Sequence, residues 1–158
     1  MPVFPATLQI LLADDDSDDC LLFREALAEL PGAANLTIKS NGELLLRHLQ
    51  NNQSELPQVL FLDLNLPRRN GLQCLQEIKK NPCFSILAVI IFSTTADEEM
   101  VDLLYEQDAD YYIRKPLLFI KWIEVITRAL QLVKSGLTPA GSREKFMLTP
   151  KLSGHVSY

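Results

Sequence analysis

The sequence predicts an α/β protein in which a parallel sheet is covered by helices on both faces. Three observations lead there. Short apolar runs alternate five times with helical patterns. The central runs are apolar at every residue, the mark of strands buried on both sides. Proline, glycine or asparagine punctuates the joins. Such alternation builds parallel β–α–β units, and right-handed crossovers leave few topologies.

Residues 8–13 read as the first strand, which ends in Asp14, Asp15 and Asp16. A helix follows over 17–30, with Leu21, Leu22, Ala26, Leu27 and Leu30 on a mixed face. Ser17 and the aspartates are N-cap types, and Pro31-Gly32 closes the segment. A weak strand over 36–39 precedes Asn41, which opens a helix with Leu44, Leu45, Leu46 and Leu49 inward. After Pro57, the run Val59, Leu60, Phe61, Leu62 delivers Asp63 at its end. Asn70-Gly71 marks a turn into a helix carrying Leu72, Leu75 and Ile78, which Asn81-Pro82 ends. Residues 87–92 form the fourth strand, 96–106 an acidic helix, and Tyr111, Tyr112 and Ile113 a short fifth strand. Pro116 opens a last helix that runs to about Lys134. Phe119, Ile123, Ile126, Leu130 and Val133 make its inward stripe. Leu118, Trp122, Val125, Ala129 and Leu132 make a second stripe. That stripe reads either as a wider core face or as a patch for a partner or for a homodimer through the face of the fourth helix, fifth strand and last helix, with Trp122, Leu118 and Val125 as interface candidates.

A length of 158 residues suits one domain, and 47% hydrophobic with 22% charged residues is an ordinary globular composition. A net charge of -5 speaks against a non-specific grip on nucleic acid. Cys20, Cys74 and Cys83 lack paired spacing, so neither a disulfide framework nor a zinc site is expected. The first residues do not resemble a signal peptide, and no apolar run approaches the roughly 20 residues of a membrane span. A soluble, cytoplasmic protein with neither membrane nor nucleic-acid partner is expected. Residues 135–158 carry Pro, Gly, Ser and Thr without apolar periodicity. They read as a flexible tail with no effector domain, so output would pass through protein contacts.

In open parallel sheets the functional groups gather beyond the carboxyl ends of the strands. Here those ends carry Asp14, Asp15 and Asp16, then Asp63, then Ser93, then Lys115. Carboxylates brought within about 4 Å repel by about 4 kcal/mol per pair at an effective dielectric near 20. The cluster must therefore protonate or hold a cation, and an all-oxygen site suits Mg2+. A carboxylate beside Mg2+ can attack phosphorus, a lysine can meet a phosphate oxygen, and a hydroxyl can donate to another. Taken singly, the aspartates could be helix caps, Ser93 a turn residue and Lys115 a surface lysine. Four strand ends each carrying the needed group argue for a phosphoryl-accepting site.

The stretches ILLADDDSDD, VLFLDLNLPRRNGLQCLQEIKK, VIIFSTTAD and ADYYIRKP, in this order and spacing, resemble the receiver domain of two-component response regulators. The resemblance covers about residues 8–134 and bounds a receiver domain at 7–134. It implies a flavodoxin-like (βα)5 fold with strand order 2-1-3-4-5. It also implies residue roles. Asp63 would be the phosphoacceptor. Asp14 and Asp15 would be the Mg2+-holding pair, Asp15 directly. Asn65 would give its backbone carbonyl to the metal. Ser93 would be the switch hydroxyl and Tyr112 the aromatic that moves with it. Lys115 would contact the phosphoryl group, its bond to Pro116 being cis. Asp108 stands where the family usually has Gly, and Asp tolerates positive φ better than most residues. Ala88 replaces a frequent Pro, and Asp16 reads as a cap rather than a ligand. LNLPRRNG resembles stand-alone receivers, some of which serve phytochrome-type kinases.

The implied activity is a phosphorelay switch fed by a histidine kinase or phosphotransfer protein. Its own chemistry would be limited to self-phosphorylation and self-dephosphorylation. One alternative is an unphosphorylated pseudo-receiver that only binds partners, against which the complete set of Asp15, Asp63, Ser93 and Lys115 stands. Another is a haloacid-dehalogenase-type phosphohydrolase, but Asn65 occupies the position where that chemistry needs a second Asp. A GTPase reading fails for lack of a Gly-rich phosphate loop.

Overall fold

Six parallel strands lie in the order β2-β1-β3-β4-β5-β6 in the computed structural model, which describes residues 7–95, 97–136 and 142–150. Along the chain run β1 (Thr7–Ala13), α1 (Ser17–Ala28), β2 (Ala33–Lys39), α2 (Gly42–Asn51), β3 (Val59–Leu62) and α3 (Gly71–Lys80). Then follow β4 (Ala88–Ser93), α4 (Glu98–Glu106), β5 (Tyr111–Arg114), α5 (Phe119–Lys134), α6 (Arg143–Phe146) and β6 (Met147–Leu148). No helix among the described residues is long and apolar enough to cross a membrane.

The strands alternate their side chains between two cores. Leu11, Ala13, Leu60, Leu62, Val89, Ile91 and Tyr112 pack with residues of α2, α3 and α4. Ile10, Leu12, Val59, Phe61, Ile90, Phe92 and Ile113 pack with α1 and α5. β3 is buried at every residue, as its uninterrupted apolar run requires. The helix caps follow the sequence signals. Asp16 accepts from the Asp18 and Asp19 amides at the start of α1, and Asn70 forms a capping box with Gln73 on α3. Asp108 has φ +67°, the left-handed turn that glycine would adopt most easily.

The structure corrects four expectations. The sheet has a sixth strand, and residues 142–150 fold back on the domain instead of trailing from it. Phe146 is fully buried, 5.3 Å from the Tyr105 ring and 6.3 Å from the Tyr112 ring, while Arg143 bridges Glu98 and Asp102 of α4. Two strand residues and one buried ring are too few to register as periodicity. The rest of the expected tail, 137–141 and 151–158, lies outside the described residues. On α5, Trp122 and Val125 are buried rather than interfacial, joined by Ile126, Ala129, Leu130 and Val133. Phe119 is exposed, and Leu118 alone of the interface candidates lies at the surface. The buried face follows the packing of α5 against α1 and the Trp122 indole, which donates to the Pro116 carbonyl at 2.8 Å. On α2, Leu45 and Leu49 are buried, whereas Leu44 is exposed. The Lys115–Pro116 bond is trans, the ground state of an X–Pro bond.

Replacing Phe146 with Ala should cost about 3–5 kcal/mol, the range for removing a buried aromatic. Urea unfolding of the full chain checks this. A loss below about 0.5 kcal/mol, the range of an ordinary surface substitution, would mean the segment contributes little to the core.

Candidate functional site

The strand-end residues converge around one ammonium group. Lys115, directly after β5, is buried, and its backbone N–H donates to the Ser93 carbonyl at 2.8 Å, which ties the fourth and fifth strand ends together. Its Nζ lies 2.7 Å from Asp14 Oδ2, 3.0 Å from Asp63 Oδ2 and 2.7 Å from Asp19 Oδ2. It also sits 5.8 Å from the centre of the Phe92 ring. That ring belongs to an edge-to-face stack with Phe23, Phe61 and Trp122, which supports the lysine from the α1–α5 side.

Burying charge in this way is costly unless every group is paired. Burial pulls the Lys115 ammonium down, but the hydrogen bonds to Asp14 and Asp19 outweigh it, and Lys115 is held above its usual range. Burial pushes the Asp14 carboxyl up to about 6, against the opposing pull of Lys115 and the Asp16 amide. The site therefore holds more acid than one lysine neutralises. Asp14, Asp15 and Asp63 each offer an oxygen, and these lie within 4.8 Å of one another. Asp14 and Asp63 are buried and Asp15 is exposed, so the trio opens to solvent on one side. An all-carboxylate donor set with a solvent side fits a hard cation that keeps part of its water.

The remaining sequence candidates are also placed. Asn65 is exposed, and its N–H donates to Asp63 Oδ1 at 3.2 Å, which fixes the Asp63 carboxylate from the loop after β3. Ser93 is fully buried, and its Oγ is the one buried side-chain polar atom among the described residues with no hydrogen-bond partner. An orphan hydroxyl of this kind needs a reason, and an arriving acceptor oxygen would supply one. Tyr112 is fully buried on the sheet face that Ser93 shares, with its hydroxyl donating to the Thr95 carbonyl in the loop after β4. Asp15, Asn65, Thr95 and Asp97 line a cleft of about 520 Å³ beside the carboxylates. A larger cleft, about 670 Å³, lies between α2 and α3, where Glu43, Arg47, Arg69 and Glu77 present both signs of charge without converging on one point.

Two features escaped sequence reasoning. Asp19 joins Lys115 although its place in the first turn of α1 reads equally as a helix-dipole residue. Gly71 is required by close approach: a Cβ there would stand 2.4 Å from the Asp63 carbonyl and 2.7 Å from Leu64 Cα. The Asn70-Gly71 turn was legible, but not that it presses on the backbone of Asp63.

Comparison with known proteins agrees with this geometry. The family model for the response regulator receiver domain matches residues 10–127. The chain belongs to that family. The receiver is 33% identical over 110 residues to the response regulator Rcp1 of Synechocystis sp., covering 67% of this chain and 75% of that one. It is 28% identical to a probable chemotaxis protein CheY of Rhizobium etli, covering 78% of this chain and 95% of the relative. Among solved structures it is similar to the phosphorylated cyanobacterial phytochrome response regulator RcpA, with a TM-score of 0.77 at 26% identity over 86% of this chain and 100% of that one. The Mn(2+)-bound form of Rcp1 gives a TM-score of 0.65 at 27% identity over 81% of this chain and 90% of that one.

Gly71→Ala should destabilise the receiver by about 1–3 kcal/mol, because the clash is with backbone and outweighs the helix-propensity gain. Chemical denaturation measures it, and a stability equal to or above that of the unaltered protein would contradict the close approach.

Proposed function

We propose that this receiver accepts a phosphoryl group on Asp63 from a histidine kinase or phosphotransfer protein, with Mg2+ bound by Asp14, Asp15 and Asp63 and the backbone carbonyl of Asn65. The observation that carries the proposal is the meeting of Asp63, Asp14 and Lys115 within hydrogen-bond distance, together with the orphan hydroxyl of Ser93, whose carbonyl accepts from the Lys115 N–H. When bound, Mg2+ would offset negative charge on the incoming group. Asp63 oxygen forms a bond to phosphorus as the donor's bond to phosphorus breaks, and the donor nitrogen takes up a proton. Lys115 supplies a permanent positive charge for one phosphoryl oxygen, and the Ser93 hydroxyl donates to another. Satisfying Ser93 draws on the β4–α4 loop, and Tyr112 is tied to that loop through Thr95. The change would therefore reach the α4–β5–α5 side, where protein contacts carry output. The likeness to a phytochrome response regulator supports a kinase of that class as donor. Leu117, Leu118 and Ile120 are exposed immediately after Lys115 and offer the donor protein an apolar footing. Trp122 and Val125, being buried, have no part in a dimer surface.

Incubation with phosphoramidate and Mg2+ should give a phosphoryl-sized mass gain in intact-protein mass spectrometry, absent in Asp63→Ala. No gain under conditions that label another receiver would favour the binding-only pseudo-receiver.

Magnesium should raise the unfolding temperature, since a ligand at about 100 times its Kd adds about 2.7 kcal/mol. Asp15→Asn, altered at an exposed position, should remove most of that rise while leaving the metal-free stability within about 0.5 kcal/mol. An undiminished rise would place the cation elsewhere.

A further inference from the structure

Asp19 is the one partner of Lys115 that acceptor chemistry does not call for. Its Oδ2 lies 2.7 Å from Nζ, as close as Asp14 and closer than Asp63 at 3.0 Å. An ammonium has three hydrogens, and three carboxylates occupy them here. A phosphoryl oxygen arriving at Asp63 can gain a hydrogen bond from Lys115 only if one of these is released. The partners differ in what release costs. Asp14 is 1% exposed and would give up its buried partner, and Asp63, 6% exposed, must stay held to present its oxygen, whereas Asp19 is 22% exposed and can be taken up by water. The Phe92 ring below the ammonium limits where it can go.

We propose that Asp19 is a positioning residue that holds the third hydrogen of Lys115 until a phosphoryl oxygen displaces it, and so sets how readily Asp63 takes the group and how tightly the site keeps it. The inference rests on the reading of Asp63 as acceptor. Asp19 acts on the reacting atoms through Lys115, and its carboxylate is a competitor of the phosphoryl group. Removing its charge should favour the phosphorylated state, whereas removing a catalytic group would disfavour it. A helix-dipole role makes a different forecast: it would alter stability alone, and Asp18, exposed in the same first turn, would share it.

The test compares the unaltered protein with Asp19→Asn, Asp19→Glu and Asp18→Asn at saturating Mg2+. Beryllofluoride affinity is read by calorimetry and the rate of labelling by phosphoramidate from intact mass. Asp19→Asn should bind beryllofluoride at least threefold more tightly and label faster by a similar factor. Asp19→Glu should return both values toward those of the unaltered protein, and Asp18→Asn should leave them unchanged. Unaltered or weaker binding in Asp19→Asn overturns the inference, as does an equal gain in Asp18→Asn. An unaltered protein that neither labels nor binds beryllofluoride overturns the acceptor reading and this inference with it. Normal labelling with an inert Asp19 substitution overturns this inference alone.

Discussion

The buried Lys115 ammonium is the constraint around which the rest of the structure is arranged. It closes the carboxyl ends of β1, β3 and β5 and the first turn of α1 onto one point. Each of those elements ends where its side chain can reach that point, and Asp14 and Asp63 can be buried only because a cation is buried with them. One positive charge does not balance the acids it meets, so the site is left electrostatically incomplete, and burial makes Asp14 retain a proton more readily than an ordinary carboxylate. That imbalance would make the cluster receptive to a metal. In a neutral, fully paired cluster the same residues would amount only to a salt bridge.

Contacts on one face of the sheet run from the site to its β6 edge. Tyr112 stands between the loop after β4, through Thr95, and the C-terminal segment, through Phe146. Arg143 fastens the same segment to α4 through Glu98 and Asp102. A rearrangement at Ser93 therefore meets a packed ring and a pair of ion bridges before it meets solvent. Those exposed bridges are each worth little, so the aromatic packing holds the segment in place more than they do.

Much of this was legible in the sequence, for a physical reason. Uninterrupted apolar runs specify strands buried on both faces, and the residues that end them then have to lie together, so Asp14, Asp63, Ser93 and Lys115 could be gathered before any coordinates were known. The phase of α5 was not legible. Two adjacent apolar stripes compete on that helix, and the choice between them depends on α1 and on the Trp122 indole reaching Pro116. Asp19 was hidden among neighbouring acids that helix capping explains equally well. The C-terminal strand was hidden because two residues carry no period.

The short β6 also alters how this sheet meets other chains. A sheet edge exposes unpaired N–H and C=O groups that can template an incoming strand, and proteins blunt such edges by shortening them. β6 pairs with Tyr112 and Ile113 and then ends, leaving on that side an edge two residues long. The opposite edge, β2, is seven residues long and mostly solvent-facing, and it finishes at Lys39. Sheet extension between copies, whether in crystals or in aggregates, would thus be steered to β2, away from the side that carries Tyr112.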